Sequence, residues 1–279
     1  MSVVDVAMVG RLGAAALAAT GMGAMLFWGA LSLVIGIRTG VQTVASRRLG
    51  QKKYNQCGTA LHNGLFMATV YGFPVSIAGW WLAKDFIPFF INDIKATSLA
   101  IEYSSIIFLG LLFSAYSFVF QGFYTGVEKT KIHMRVSITS NIVNVYLNAG
   151  LIYGSEGVKL FFSENVPALT FLSHLWQWTT FPAMGVKGAA IATVVASLWM
   201  FVHYGLYLFS KQIKSRFAVL SLSVDGEMMN RQLRLAAPQG LQEVFIAAGW
   251  SMFYKIVGMI GPVSYTHLRA HETDSYLVC

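Results

Sequence analysis

The sequence predicts an all-α protein that crosses a membrane several times, and three observations carry the prediction. Charged residues make up only 11% of the 279-residue chain, against 56% hydrophobic, whereas a soluble domain carries roughly 25% charged residues. Windows without Asp, Glu, Lys or Arg run over 12–37, 54–83, 103–127, 136–155 and 188–210, each long enough for a helix that crosses the hydrocarbon in ~20 residues. The basic residues fall in alternate loops. Arg47, Arg48, Lys52 and Lys53 follow the first window, Lys129, Lys131 and Arg135 separate the third from the fourth, and Lys211, Lys214, Arg216, Arg231 and Arg234 precede the last apolar segment. The intervening loops hold only Arg11, Lys84, Lys95, Lys159 and Lys187. The positive-inside rule puts the larger set in the cytoplasm. The net charge of +8 therefore records orientation rather than a nucleic-acid partner.

The elements are taken in chain order. The opening segment, 1–10, is too short to cross and reads as the back half of a helix whose front is absent. It carries Asp5, and an ionisable group at membrane depth is costly unless it faces a partner or a wet cavity, so its default reading is functional. Span two, 21–45, carries Arg38, which either snorkels to the interface or lines a cavity. A rise of ~1.5 Å per residue puts Arg38 and Asp5 at opposite depths of antiparallel helices. Span three, 58–83, contains Pro74 and ends in the interfacial pair Trp80 and Trp81. His62 and Asn63, one turn inside its inner edge, read as helix–helix hydrogen bonds.

Span four, 97–126, reads as one long aromatic helix with Gln121 near its inner end, either lining a cavity or bonding a neighbour. Span five, 136–153, carries Asn141, Asn144 and Asn148, of which the last two share a face at i, i+4. The connection 154–186 is rich in Phe and Trp and reads as a partly helical segment on the outer interface. Span six, 188–210, opens with the small-residue run GAAIATVVAS, suited to close helix packing. A polar cytoplasmic linker is expected over 211–234. A last helix is expected over 235–262, interrupted by Glu243 and Lys255 and with Pro238 in its first turn.

An internal echo bears on the architecture. Val9-Gly10-Arg11-Leu12-Gly13 matches Val257-Gly258-Met259-Ile260-Gly261 as V-G-x-x-G at the outer end of an outward-running helix. Six spans apart in one orientation, the two copies suggest a parallel duplication of a six-helix unit. The tail, 263–279, turns abruptly polar and resembles a translated sequencing adapter, so it is set aside from fold reasoning. That removes His267, His271, Glu272 and Asp274 as a metal site. Cys57 and Cys279 give no disulfide framework. No nucleophile–base constellation and no phosphate-cradling glycine loop is present, which argues against an enzyme.

The segments VDVAMVGRLGAAALAA, VASRRLGQKK, FQGFYTGVEKTKIHM, NVYLNAGLIYG, GVKGAAIATVVAS and LRLAAPQGLQEV resemble, in order and spacing, those of the multidrug and toxic compound extrusion (MATE) family, over nearly all of 2–261. The resemblance implies twelve helices in two six-helix lobes around a central cavity of alternating exposure. This chain would be the N-terminal lobe, its first helix truncated, plus the first helix of the second lobe. The implied activity is export of organic cations in exchange for Na⁺ or H⁺ across a bacterial inner membrane. No other cofactor is implied. The partners would be cationic small molecules, the lipid bilayer and the missing C-terminal lobe.

Residue by residue, Asp5 matches the family's span-one acid. Asn144 and Asn148 match a polar pair in span five, where some members carry an Asp at the second position. Glu243 is the acid of span seven, one turn earlier than in some bacterial members, and is read either as a cavity carboxylate or as an interfacial residue. A carboxylate in low dielectric suits such coupling, because bare it attracts a cationic guest, whereas a proton or Na⁺ cancels the attraction. Lys255 is not expected from the family. It is read as snorkelling outward or as pairing with Asp5 across the lobes. Two rival readings use the same residues. A lipid-linked oligosaccharide flippase would hold its diphosphate on basic cavity residues, for which Arg38 and Lys255 are the candidates. A seven-helix photoreceptor would carry retinal on Lys255 with Asp5 as counter-ion.

Overall fold

Between Ala14 and Gly50 no proline or acidic residue interrupts the chain, and the result in the computed structural model is one 37-residue helix. Residues 2–91, 93–165, 167–178 and 180–260 are described. They form α1 (Ser2–Gly10), α2 (Ala14–Gly50), α3 (Tyr54–Phe86), α4 (Ile94–Leu109), α5 (Leu111–Gly126), α6 (Thr130–Asn165), α7 (Val186–Leu208), α8 (Lys211–Phe217) and α9 (Gly226–Ile260), with no strand among the described residues. The second V-G-x-x-G copy ends outside the described residues, and so does the tail with His267, His271, Glu272 and Asp274.

The helices α2, α3 and α7 are long and apolar enough to cross a membrane, and so are α4 and α5 taken as one span. On α3 the exposed side chains Phe66, Val70, Phe73, Ile77 and Trp81 recur every three or four residues. That is a continuous apolar stripe of the kind a soluble surface does not leave open.

The span expected over 97–126 is two helices bent by 50°. The cause is tertiary. The carbonyl of Phe108 accepts from the Ser76 hydroxyl of α3 at 2.6 Å, so it is occupied outside the helical ladder. At Gly110 a Cβ would lie 2.9 Å from Val194 of α7, a close approach that only glycine allows. A second break falls at Gly154 (φ 75°) inside α6. Beyond it the chain runs to Asn165, forms a 3-10 helix over Pro167–Trp176, and folds back onto α6. Trp176 Nε1 donates to Tyr146 O at 2.8 Å, the Tyr146 hydroxyl donates to Leu175 O at 2.8 Å, and the two rings stack at 5.1 Å.

The last helix begins at Gly226, not near 235, and α8 occupies part of the stretch expected as a polar linker loop. The reason is a cap and an anchor. The Asp225 carboxylate accepts from Met228 N at 3.0 Å, satisfying an orphan donor of the first turn. Asn63 in turn clamps the Asp225 backbone, donating to its carbonyl and accepting from its N–H, both at 3.0 Å. His62 does the same for the preceding loop, with Nε2 on Val219 O at 2.9 Å and Nδ1 accepting from Ser223 N at 3.3 Å. The pair read as helix–helix bonds thus binds loop backbone. Pro238 consequently lies well inside α9 rather than in its first turn.

α2 packs against α1, α3, α4, α5 and α9, and α9 meets it through glycine. A Cβ on Gly36 would lie 2.5 Å from Ala236 O, and one on Gly40 would lie 2.6 Å from Gln232 O. Small residues let the two backbones approach this closely. Gly36→Ala is therefore expected to cost about 1–3 kcal/mol of stability through forced separation of the helices. Gly205→Ala in α7, with open space around its Cβ position, should instead gain up to ~1 kcal/mol from helix propensity. Thermal unfolding of the two variants in one detergent checks the opposite signs.

Candidate functional site

α1, α2, α4, α5, α6 and α7 enclose a cavity of about 650 Å³. One end is built on Asp5, which projects from α1 beside Val6 and Val9. Asn148 Nδ2 of α6 donates to the Asp5 carboxylate and lies 3.3 Å from Asn144 Oδ1. The i, i+4 spacing read from the sequence thus stacks both amides on one face of α6, fully buried. Two of their polar atoms, Asn144 Nδ2 and Asn148 Oδ1, are buried with no partner among the described residues. The Tyr153 hydroxyl donates to Met8 O and so fixes the end of α1 against the same helix.

The other end of the cavity is a hydrogen-bonded chain through four helices. Arg38 Nη1 of α2 donates to Gln121 Oε1 of α5 at 3.3 Å. The Gln121 amide meets His133 Nε2 of α6 at 3.0 Å, and His133 Nδ1 meets the Tyr204 hydroxyl of α7. Gln121, His133 and Tyr204 line the cavity. Arg38 stands behind Gln121, 5.9 Å from the Phe118 ring centroid. Between the two ends the walls carry hydroxyls, Ser114 and Ser117 on α5 and Thr193 and Ser197 on α7, with Ser114 and Ser197 hydrogen-bonded across the helices at 3.2 Å. Phe27, Trp28 and Phe118 supply the aromatic surface.

The structure brings together Asp5, Asn144 and Asn148, and separately Arg38 and Gln121. Neither Glu243 nor Lys255 joins them. Glu243 accepts from Gln239 on its own helix at 3.0 Å and is absent from the cavity wall. Lys255 Nζ lies 3.4 Å above the Phe89 ring, in the 3-10 turn after α3, so the Asp5–Lys255 pair is not formed. Matching depth along two helices does not match their azimuth, and α9 presents Lys255 to the α3 side. The same placement separates the retinal lysine from its counter-ion and the two basic residues from a shared diphosphate. Asn141 donates to Ser137 O at 2.8 Å. His133 and Tyr204 are cavity residues that the sequence pattern does not single out. The spacing of Ser114, Ser117 and Gln121 at i, i+3 and i+7 is the available signal for a polar stripe facing them.

The chain is similar in sequence and fold to known proteins. The profile of the family described as MatE matches residues 1–149. The chain is 23% identical over 268 residues to a probable multidrug resistance protein NorM of Thermotoga maritima, covering 95% of this chain and 52% of that protein. It is 23% identical over 243 residues to the probable multidrug resistance protein YoeA of Bacillus subtilis, covering 86% and 48%. Among solved structures, a multidrug resistance MATE family transporter of the MOP superfamily in an inward-facing conformation superposes with a TM-score of 0.74 at 20% identity, over 95% of this chain and 54% of that one. The eukaryotic MATE transporter AtDTX14 superposes with a TM-score of 0.70 at 19% identity, over 92% and 51%. The chain thus spans about half the length of the relatives it matches.

The Asp5–Asn148 contact predicts an asymmetry. Asn148→Leu leaves the carboxylate without its donor and should cost about 1–3 kcal/mol, the penalty for an unsatisfied buried polar group. Asp5→Asn keeps an acceptor facing Asn148 and removes the charge, so it should leave the thermal midpoint unchanged or raise it. Unfolding of both variants in detergent checks the ordering.

Proposed function

The chain belongs to the MatE family, and from that premise we propose that it forms about half of a secondary transporter exporting cationic organic compounds in exchange for Na⁺ or H⁺. The observation that carries the reading is Asp5, a carboxylate on the wall of a drug-sized cavity, tied to two buried amides with an unpartnered oxygen. Pockets of roughly 300–1,000 Å³ with apolar walls and few polar groups suit small organic ligands. The faces of Phe27, Trp28 and Phe118 add cation–π attraction for a flat, positively charged guest.

The chemistry is a competition for one charge. With Asp5 ionised, an organic cation in the cavity finds its counter-charge there. A proton on the carboxylate removes that attraction. Na⁺ does the same, and the residues fit it, since hard cations take oxygen ligands and Asp5, Asn144 and Asn148 offer carboxylate and amide oxygens at one place. The unpartnered Asn148 Oδ1 is the atom such an ion would satisfy. Exchange across the bilayer then needs a second lobe against which this one rocks. In the proposed reading that lobe starts with α9, and the assembly resides in a bacterial inner membrane.

The test uses the uninterrupted transporter in cells that lack other efflux pumps. Asp5→Ala and Asp5→Asn should both bring efflux of a cationic dye down to background. Asn148→Asp should keep it where the two carboxyls share one proton, since a carboxyl O–H then replaces the amide as donor to Asp5. The 279-residue chain alone should give no efflux. Retained export with Asp5→Ala would refute the carboxylate as the coupling group.

A further inference from the structure

A second concave site lies at the far end of the helices from Asp5, and the export reading makes no use of it. The turn between α2 and α3 and the exposed face of α8 enclose a shallow hollow of about 740 Å³, lined among others by Lys52, Lys53, Tyr54 and Arg216. The Arg216 guanidinium lies 4.5 Å from the Tyr54 ring centroid. Arg48 lies at the end of α2, where its guanidinium donates to Gln51 Oε1 at 2.9 Å.

Two features show that these cations are placed rather than scattered. α8 buries Ile213 and Phe217 completely and turns Lys211, Lys214 and Arg216 outward, so its basic face is fixed by packing on the other side. The α2 terminus is a Schellman turn, with Lys53 N–H on Arg48 O at 3.0 Å and Lys52 N–H on Leu49 O at 2.9 Å. Its left-handed position, where glycine is the usual occupant, is held by Lys52 at φ 60°. Glu128 holds the same position at the turn after α5, so the conformation fixes where the Lys52 side chain starts rather than selecting its charge, and a glycine would relieve its backbone strain. Among the described residues the ion pairs are Lys187–Glu102 and Arg231–Glu227. Among the described residues none of the cations lining the hollow is ion-paired, which leaves them available to an anion.

We propose that this hollow binds a phosphate oxyanion, the headgroup phosphate of an anionic phospholipid at the membrane surface where α2 and α3 end. Arg216 and Lys52 hold the phosphate from opposite walls, and Lys53 and Arg48 add long-range attraction. Basic pockets at helix ends on the membrane surface are suited to anionic headgroups. A soluble phosphate compound shares the chemistry and is separated by experiment.

The chain is placed in phosphatidylcholine nanodiscs and the affinity for a fluorescent phosphatidylglycerol is measured, with inorganic phosphate as competitor. Lys52→Gly and Arg216→Gln should each weaken lipid binding about fivefold, the usual contribution of one basic residue near the surface. Lys52→Gly should do so with a thermal midpoint equal to or above that of the unmodified chain. Lys129→Gln, at the corresponding Schellman turn between α5 and α6, should have no effect. Competition by inorganic phosphate at concentrations similar to the lipid would assign the same site to a soluble phosphate compound. Lipid binding by Lys52→Gly at full strength would overturn the proposal. So would an equal loss with Lys129→Gln, which would mark mere surface charge.

Discussion

A half-buried carboxylate among apolar helices is stabilised by a donor from another helix, and the Asn148 amide meets Asp5. Much of the cavity's arrangement depends on that contact. The Asn148 amide and the Tyr153 hydroxyl, both from α6, hold α1 at Asp5 and at Met8, one turn apart. α6 is held against α7 by the Ser140 hydroxyl on Ala196 O at 3.0 Å. α7 in turn stays against α5 through Ser114–Ser197 and through the Tyr124 hydroxyl on Tyr204 O at 2.9 Å. The polar side chains of this lobe are thus joints between helices as well as cavity lining. Either role explains why they persist among so many apolar neighbours.

The cavity has two chemically different ends, and a length decides how they can act. His133 and Asn148 lie on one helix, fifteen residues apart, which is ~22 Å at 1.5 Å per residue. That exceeds the span of an ordinary drug-sized molecule, so one guest does not bridge the carboxylate and the Arg38–Gln121–His133 chain. Hydroxyls on α5 and α7 lie between them, and Thr20 of α2 and Tyr103 of α4 add further polar groups to the lining. A guest seated by Asp5 therefore leaves the opposite end of the cavity to water or to the chain's own hydrogen bonds. The sign of the charge also differs, with a carboxylate at one end and a guanidinium behind the other. A cation in this cavity is drawn toward the α1 end by both.

The features legible in the sequence are those that depend on local pattern. The all-helical class comes from charge-free windows, and the Asn144–Asn148 face from a spacing of four. Asp5 stands out because an ionisable residue among apolar ones is expensive. The features that escape a reading of the sequence depend on partners distant in the chain. The bend at Gly110 needs Ser76, thirty-two positions from Phe108. The start of α9 at Gly226 needs Asn63, a separation of 162 from Asp225. Arg38 can be placed by depth, but not joined to Gln121, because a rise per residue gives no azimuth. The same gap undoes the pairing of Lys255 with Asp5, since α9 turns that lysine to Phe89.

The way α9 is seated constrains how a second half could move. Its first turns are bound at several points, by Asn63 and His62 on the preceding backbone, by Gln232 Nε2 on Ala60 O at 2.9 Å, and by the glycine contacts with α2. The stretch from Val219 to Asp225 is accordingly not a loose tether. Further along, Pro238 removes one N–H from the helical ladder, and beyond it Leu241, Phe245, Trp250 and Met252 stand exposed rather than packed. Past the proline α9 still meets α2, at Gly240 against Gly36 and at Ala247 against Gly29, so an imposed displacement falls on the exposed side of its later turns. In the two-lobe reading, rocking of the second lobe thus strains α9 past Pro238 and leaves the α2–α3 anchor where it is. Helix distortions concentrate where the ladder is already interrupted, and in α9 that place is built into the sequence.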